Sequence, residues 1–187
     1  IVTNLGTLDI STAISPAETL ATIGGVGTVK LDSGGSVTGS GDFTFSGSLD
    51  WVSGTMSGTG RTIVSASGTL NLSSDSEKNL LRVLENNGAA TWSGGVLRMN
   101  GGAFQNNGTF TANTTGTLSS WGDGGTNAFQ NAGTFTKQGT GTTEFIVSNT
   151  GVTFNNTGTV NVQAGTLRLA GGGTVEFNES ARLITKT

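Results

Sequence analysis

The chain has no cysteine, no histidine and no tyrosine, and one proline in 187 residues. Without cysteine there can be neither a disulfide nor a thiolate metal site. Without histidine the commonest general base and metal ligand is missing. Charge is also scarce. Asp, Glu, Lys and Arg make up 11% of the residues, where an average soluble domain carries roughly 25%. The nine Lys and Arg are scattered singly and the formal net charge is -3. No basic patch exists to neutralise phosphates, so nucleic acid is not an expected partner. Apolar runs are a few residues long, too short for a membrane-spanning helix, and no membrane insertion is expected. Neither a signal peptide nor an initiating Met opens the sequence, which reads as a processed or excised segment of something larger.

What is present is glycine, 32 residues of it, with Ser, Thr and Asn supplying the polarity that charges do not. Low charge and much glycine could mean disorder. The regular alternation of Val, Leu, Ile and Phe argues against that, because disordered chains lack periodic apolar positions. A single domain spanning 1–187 is expected, long enough for a sizeable core. The Cys-free, Ser/Thr/Gly/Asn-rich composition fits a secreted or cell-surface bacterial protein.

The clearest order lies between Phe104 and Gly173. FQNNGTFT begins at Phe104, FQNAGTFT at Phe129 and FNNTGTVN at Phe154, each 25 residues after the last, and Phe177 follows after 23. A fixed period of this size marks a solenoid, one stacked coil per repeat. Within and outside these repeats a Gly-Thr-apolar-x-apolar unit recurs, at Gly6, Gly27, Gly68, Gly158, Gly165 and Gly173, with weaker versions at Gly41, Gly108, Gly116 and Gly133. Each reads as a short strand of period two, opened by a glycine that permits a tight bend. Leu8 and Ile10, Val29 and Leu31, Phe43 and Phe45, Leu70 and Leu72, Val160 and Val162, and Leu167 and Leu169 are expected to point inward. The lone charges are expected at the outward parity. Two Gly-Thr strands and one Phe-x-Asn strand per repeat make one coil of a parallel β-helix. Coils are expected to start near Ile1, Ile23, Phe43, Ile63, Leu84, Phe104, Phe129 and Phe154.

Stacking the repeats places Asn86, Asn106, Asn131 and Asn156 one above another at a bend, where their amides can bond in a ladder. A row of amides for sugar hydroxyls is the functional alternative. Phe104, Phe129 and Phe154 are expected to form an internal stack, continued by Leu84 and ended by Phe177. Two stretches interrupt the pattern. Ser74–Leu84 (SDSEKNLLRVL) is read as a loop with two short strands in preference to a helix, because Leu81 and Leu84 align with core positions. ISPAETLATI from Ile14 is either a bulged corner or a capping helix, and the tail from Glu179 either caps the rod or leads into further coils.

Segments such as FNNTGTVNVQAGTLRLAGGGT and LDWVSGTMSGTG resemble the repeats of bacterial extracellular β-helix proteins, the filamentous-haemagglutinin-like and adhesin-like surface proteins. The likeness covers most of Phe43 to Thr174. It implies an all-β, single-domain, right-handed parallel β-helix (β-solenoid) of about eight coils of 20–25 residues, with three short strands per coil. It also implies a secreted rod that presents a surface, and it carries no active-site motif. The expected function is a non-enzymatic stalk or adhesin module, monomeric or part of a longer chain, with no cofactor. The alternative is a carbohydrate-binding module attached to a polysaccharide-active enzyme, its partner a polysaccharide or cell-surface glycan. A lyase or hydrolase ranks behind both, because the twelve scattered Asp and Glu form no paired carboxylates. Arg61, Arg82, Arg98 and Arg168 are candidate bases only by default.

Calcium is not expected, since the loops at Ser73 and Trp121 hold one or two carboxylates each where the ion wants six or more oxygens. Among the tryptophans, Trp51 and Trp92 fall at core parity. Trp121 is out of phase with Leu118 and faces solvent on this reading. With Asp123 and Asn127 it forms the candidate glycan site. Ice binding is ranked low, because the threonines follow corner glycines and are not read as Thr-x-Thr rows.

Overall fold

The computed structural model describes residues 2–3, 6–10, 12–14, 21–25, 27–122 and 124–175. These residues form a parallel β-solenoid without helices: three eight-stranded sheets, each coil contributing one strand to each sheet. The first sheet runs from Val2–Thr3 to Thr153–Asn156, the second from Thr7–Ile10 to Thr159–Val162, and the third from Ala13–Ile14 to Thr166–Leu169. All pairing is parallel, between strands one coil apart. Ser74–Leu84 is a loop followed by the strand Lys78–Leu80 and the first residues of Val83–Asn86. Ser15–Leu20, Phe177 and the tail from Glu179 lie outside the described residues.

In register, each side chain stands over its counterpart one coil below, so the core is a set of columns. Phe43, Thr62, Leu84, Phe104, Phe129 and Phe154 form one of them. Phe104 and Phe129 stack with centroids 4.9 Å apart at 12°, and Phe129 and Phe154 at 5.4 Å and 3°. Phe110 and Phe135 of the second sheet stack beside them at 5.3 Å and meet the first stack edge to face. Both geometries are favoured by the ring quadrupole. Trp51 and Trp92 are fully buried.

Several expected positions shift by one or two residues. Thr62, not Ile63, occupies the inward position over Phe43, and its buried hydroxyl has no partner. Ile23 lies beneath Phe45, two residues along the strand from its expected place beneath Phe43. Leu80, not Leu81, is in the core, in register with Met56 and Met99. Short apolar clusters such as Thr-Ile-Val and Leu-Leu fit either parity, and only pairing with the neighbouring coil decides between them. Leu8, Val162 and Leu169 lie in inward columns yet are 38%, 53% and 36% exposed. They belong to the first and last described coils, which have a described neighbour on one side only.

At Gly108 and Gly133 the recurrent glycine has a different cause from the tight bend expected of it, whereas Gly165 and Gly173, at φ +69° and +127°, do adopt the left-handed backbone of a bend. A Cβ on Gly108 would lie 2.1 Å from the Gly88 carbonyl oxygen, and one on Gly133 would lie 2.0 Å from that of Gly108. Neither residue has a left-handed φ. The residue after each glycine donates its N–H to that same oxygen: Thr109 to Gly88 and Thr134 to Gly108, both at 2.9 Å. At these two positions glycine is required because one corner presses directly on the corner beneath. Gly133→Ala should destabilise the protein by about 1–3 kcal/mol through overpacking. Gly116→Ala, whose nearest atom would be 3.9 Å away, should stay within about 0.5 kcal/mol. Urea unfolding midpoints of the two variants measure the difference, and equal midpoints would contradict the close-approach account.

Candidate functional site

Trp121 lies near the end of the strand Thr117–Gly122, in register with Arg98 on the outward face of the third sheet. The Arg98 guanidinium carbon sits 4.7 Å from the centre of its ring, and Arg98 also pairs with Glu77 at 3.3 Å. One face of the indole is therefore covered by a cation held in place by a carboxylate. Asn127 is 2% exposed. Its oxygen accepts from the Gly101 N–H at 2.8 Å, and its amide nitrogen donates to Gly124 O at 3.0 Å and Thr150 Oγ1 at 2.8 Å. Its polar functions are thus committed to holding the loop onto the neighbouring coils. Asp123 lies outside the described residues.

The row of asparagines lies inside the rod. Asn86, Asn106, Asn131 and Asn156 each end a strand of the first sheet and are 0–3% exposed. Asn86 donates to Asn106 at 2.8 Å, Asn106 to Asn131 at 2.7 Å and Asn131 to Asn156 at 2.6 Å. Each of these three amides also donates to a second-sheet carbonyl, of Thr109, Thr134 and Thr159 respectively. The column continues downward as Val64, Phe45 and Ile23. Val64 offers no donor, and the Asn86 oxygen is left without a partner.

Three buried cations do comparable work at the other two corners, and they contradict the expectation that charges face outward. Lys78 and Lys137 are 0% exposed and stand at inward parity, the first in register with Leu97 and the second with Ala112. Lys78 Nζ donates to the carbonyls of Ser74 at 2.8 Å, Ser76 at 2.9 Å and Gly94 at 3.4 Å. Lys137 Nζ donates to those of Gln138 and, at 2.9 Å, Gly139. Arg82, 3% exposed, donates to the carbonyls of Gly60 at 2.7 Å, Ser57 at 3.1 Å and Gly41 at 2.9 Å. Strict parity in KNL and TFTK would have flagged both lysines as inward, and nothing in the sequence flags Arg82. The outward charges bridge coils as well. Arg61 joins Asp42 and Glu85, and Arg168 meets Glu144. Arg61 beside Asp42 holds that carboxyl below the usual carboxylate range.

A shallow hollow of about 300 Å³ opens on the outward side of the first sheet. Gln105, Gln130 and Asn155 stand in register along one wall, and Asn107, Ala132 and Thr157 form the rim. Ala132 is the small residue between Asn107 and Thr157 that leaves the space. Asn155 is engaged by Thr174, and Asn107 by Asn87. No hydrogen bond among the described residues involves the carboxamides of Gln105 or Gln130. Among the described residues no three His, Cys, Asp or Glu gather in a cluster able to hold a metal ion. Comparison with protein-family models, with curated proteins and with solved structures gives no match.

Two outcomes follow. Asn106→Leu would strip Asn131 Oδ1 and Thr134 O of their donor and Asn86 of its acceptor. It should cost about 3 kcal/mol, since each buried polar group left unpaired costs about 1–3; Gln105→Leu, on the surface, should be close to neutral. Chemical denaturation compares them, and similar losses would remove the ladder's special role. The second outcome concerns alkaline pH. Burial pushes Lys78 from 10.5 down to about 8, against a smaller upward pull from Asp75, and it lowers Lys137 too. Between about pH 8 and 10.5 the unfolded chain therefore binds more protons than the folded one, and stability rises with pH. Lys30, raised by Asp32, acts in the opposite sense only above that window. No His, Cys or Tyr titrates within it. Unfolding midpoints should climb across the window and climb less in Lys78→Met; a flat profile for the unaltered protein would sink the prediction.

Proposed function

We propose that this chain is a rigid, non-enzymatic stalk or adhesin module of a secreted or cell-surface bacterial protein. The observation that carries the reading is the continuous parallel pairing of all three sheets through successive coils, with one register shift, between Ser120 and Gly122 in the third sheet. Corner polar groups bond from coil to coil, asparagine to asparagine, Arg82 to Gly60 and Lys78 to Gly94. A body so constructed transmits position along its axis and presents its outward faces at fixed spacing. Because the chain has no cysteine, a pair of labels can be placed without background. Thr7→Cys and Thr159→Cys stand in the same column, seven strand steps apart, or about 34 Å at ~4.8 Å per step. Spin-label distance measurement should return one narrow distribution near that value, and a broad one would defeat the rod.

The hollow favours contact with a neutral glycan as a second reading. Two unpartnered carboxamides one strand apart offer donors and acceptors to sugar hydroxyls, and no charge lines the site. A glycan array of the unaltered protein beside Gln105→Ala/Gln130→Ala tests it. No signal above background, or a signal that the double variant keeps, removes this reading and leaves the rod untouched.

A further inference from the structure

The outward face of the second sheet carries Thr-x-Thr rows that the sequence reading did not recognise. Thr109 and Thr111 occupy one strand and Thr134 and Thr136 the next, in register: Thr109 under Thr134 and Thr111 under Thr136. Thr159 extends the first column and Thr91 the second. In each strand the residue between the two outward positions, Phe110 or Phe135, is fully buried. Neighbouring threonines are therefore about 4.8 Å apart between strands and about 6.6 Å apart along a strand. Thr91, Thr109 and Thr159 are exposed and the other three half-buried. No hydrogen bond among the described residues uses any of these six hydroxyls. From Thr69 to Asn161 the two columns contain no charged residue, whereas Lys30 and Asp50 stand in the second column nearer the amino end.

Each free hydroxyl donates one bond and accepts others. Because threonine is branched at Cβ, its χ1 is stiff, so the hydroxyls and methyls keep their positions at little further entropic cost. A small soluble ligand would touch one or two of them. A partner with its own two-dimensional repeat, of similar spacing in both directions, would engage the whole array at once. The array's lack of charge means that no ion holds a competing hydration shell over it. We propose that this face binds ice, with the ordered oxygen lattice of a crystal surface as the partner and the threonine columns as the contact.

The test is partition into slowly grown ice, together with thermal hysteresis measured on single crystals. The unaltered protein should be enriched in the ice and should shape the crystals. Thr111→Lys/Thr136→Lys should lose both properties. Gln130→Lys, on the first sheet, should keep them. Lysine is already accommodated in the second column at Lys30, so the double variant should fold, and its circular dichroism and unfolding midpoint verify that. Exclusion of the unaltered protein from ice, or equal enrichment of the threonine variant, overturns the proposal. So does co-sedimentation with crystalline cellulose or chitin without ice binding, which would identify an ordered polysaccharide as the partner.

Discussion

Parallel stacking brings every residue to within one strand spacing, about 4.8 Å, of its equivalent in the next coil. That one distance governs the rest of the molecule. It makes like stand on like, so aromatic residues form stacks, amides form ladders and hydroxyls form columns. It also brings the corners into direct contact, where the carbonyl of one glycine lies where the Cβ of the next would be. A solenoid can bend its chain only where neighbouring coils can bend in the same place.

The three corners meet this constraint with different chemistry. Strand ladders satisfy the backbone along each sheet, but at a bend the carbonyls turn away and need other donors. Between the first and second sheets the donors are asparagine amides. Between the second and third they are the buried ammonium groups of Lys78 and Lys137. Between the third and first it is the guanidinium of Arg82, which gathers carbonyls from successive coils. A buried cation with several carbonyl acceptors is partly compensated for lost hydration, though burial still lowers the proton affinity of Lys78.

The architecture was legible in the sequence because periodicity is a collective signal, and three near-identical repeats at Phe104, Phe129 and Phe154 establish it. Register was less legible. Arg-Thr-Ile-Val at Arg61 places Thr62 in the core and Ile63 at half-burial, a choice made by Phe43 and Leu84 on either side. The buried lysines were missed because charge was assumed to lie outside. The acceptors of Lys137 are the carbonyls of the next two residues, and those of Lys78 come from its own loop and from Gly94 one coil on. The threonine columns were missed for a related reason. The Gly-Thr units point to the corner, whereas the outward neighbours of Thr111 are Thr91 and Thr136, in strands 20 and 25 residues away.

The unpaired oxygen of Asn86 gives the ladder a growth law. All three amide bonds point the same way, and the series starts at one orphan acceptor above Val64. The penalty of that end is met once, whatever the number of rungs, while each added rung contributes another amide bond. The series therefore behaves like a helix past its nucleus, with a costly first step and favourable propagation. A lone asparagine in this column would bear the whole initiation cost for no neighbour bond. Lineages that lengthen the rod by copying whole coils should accordingly carry long asparagine runs or none, with isolated asparagines selected against.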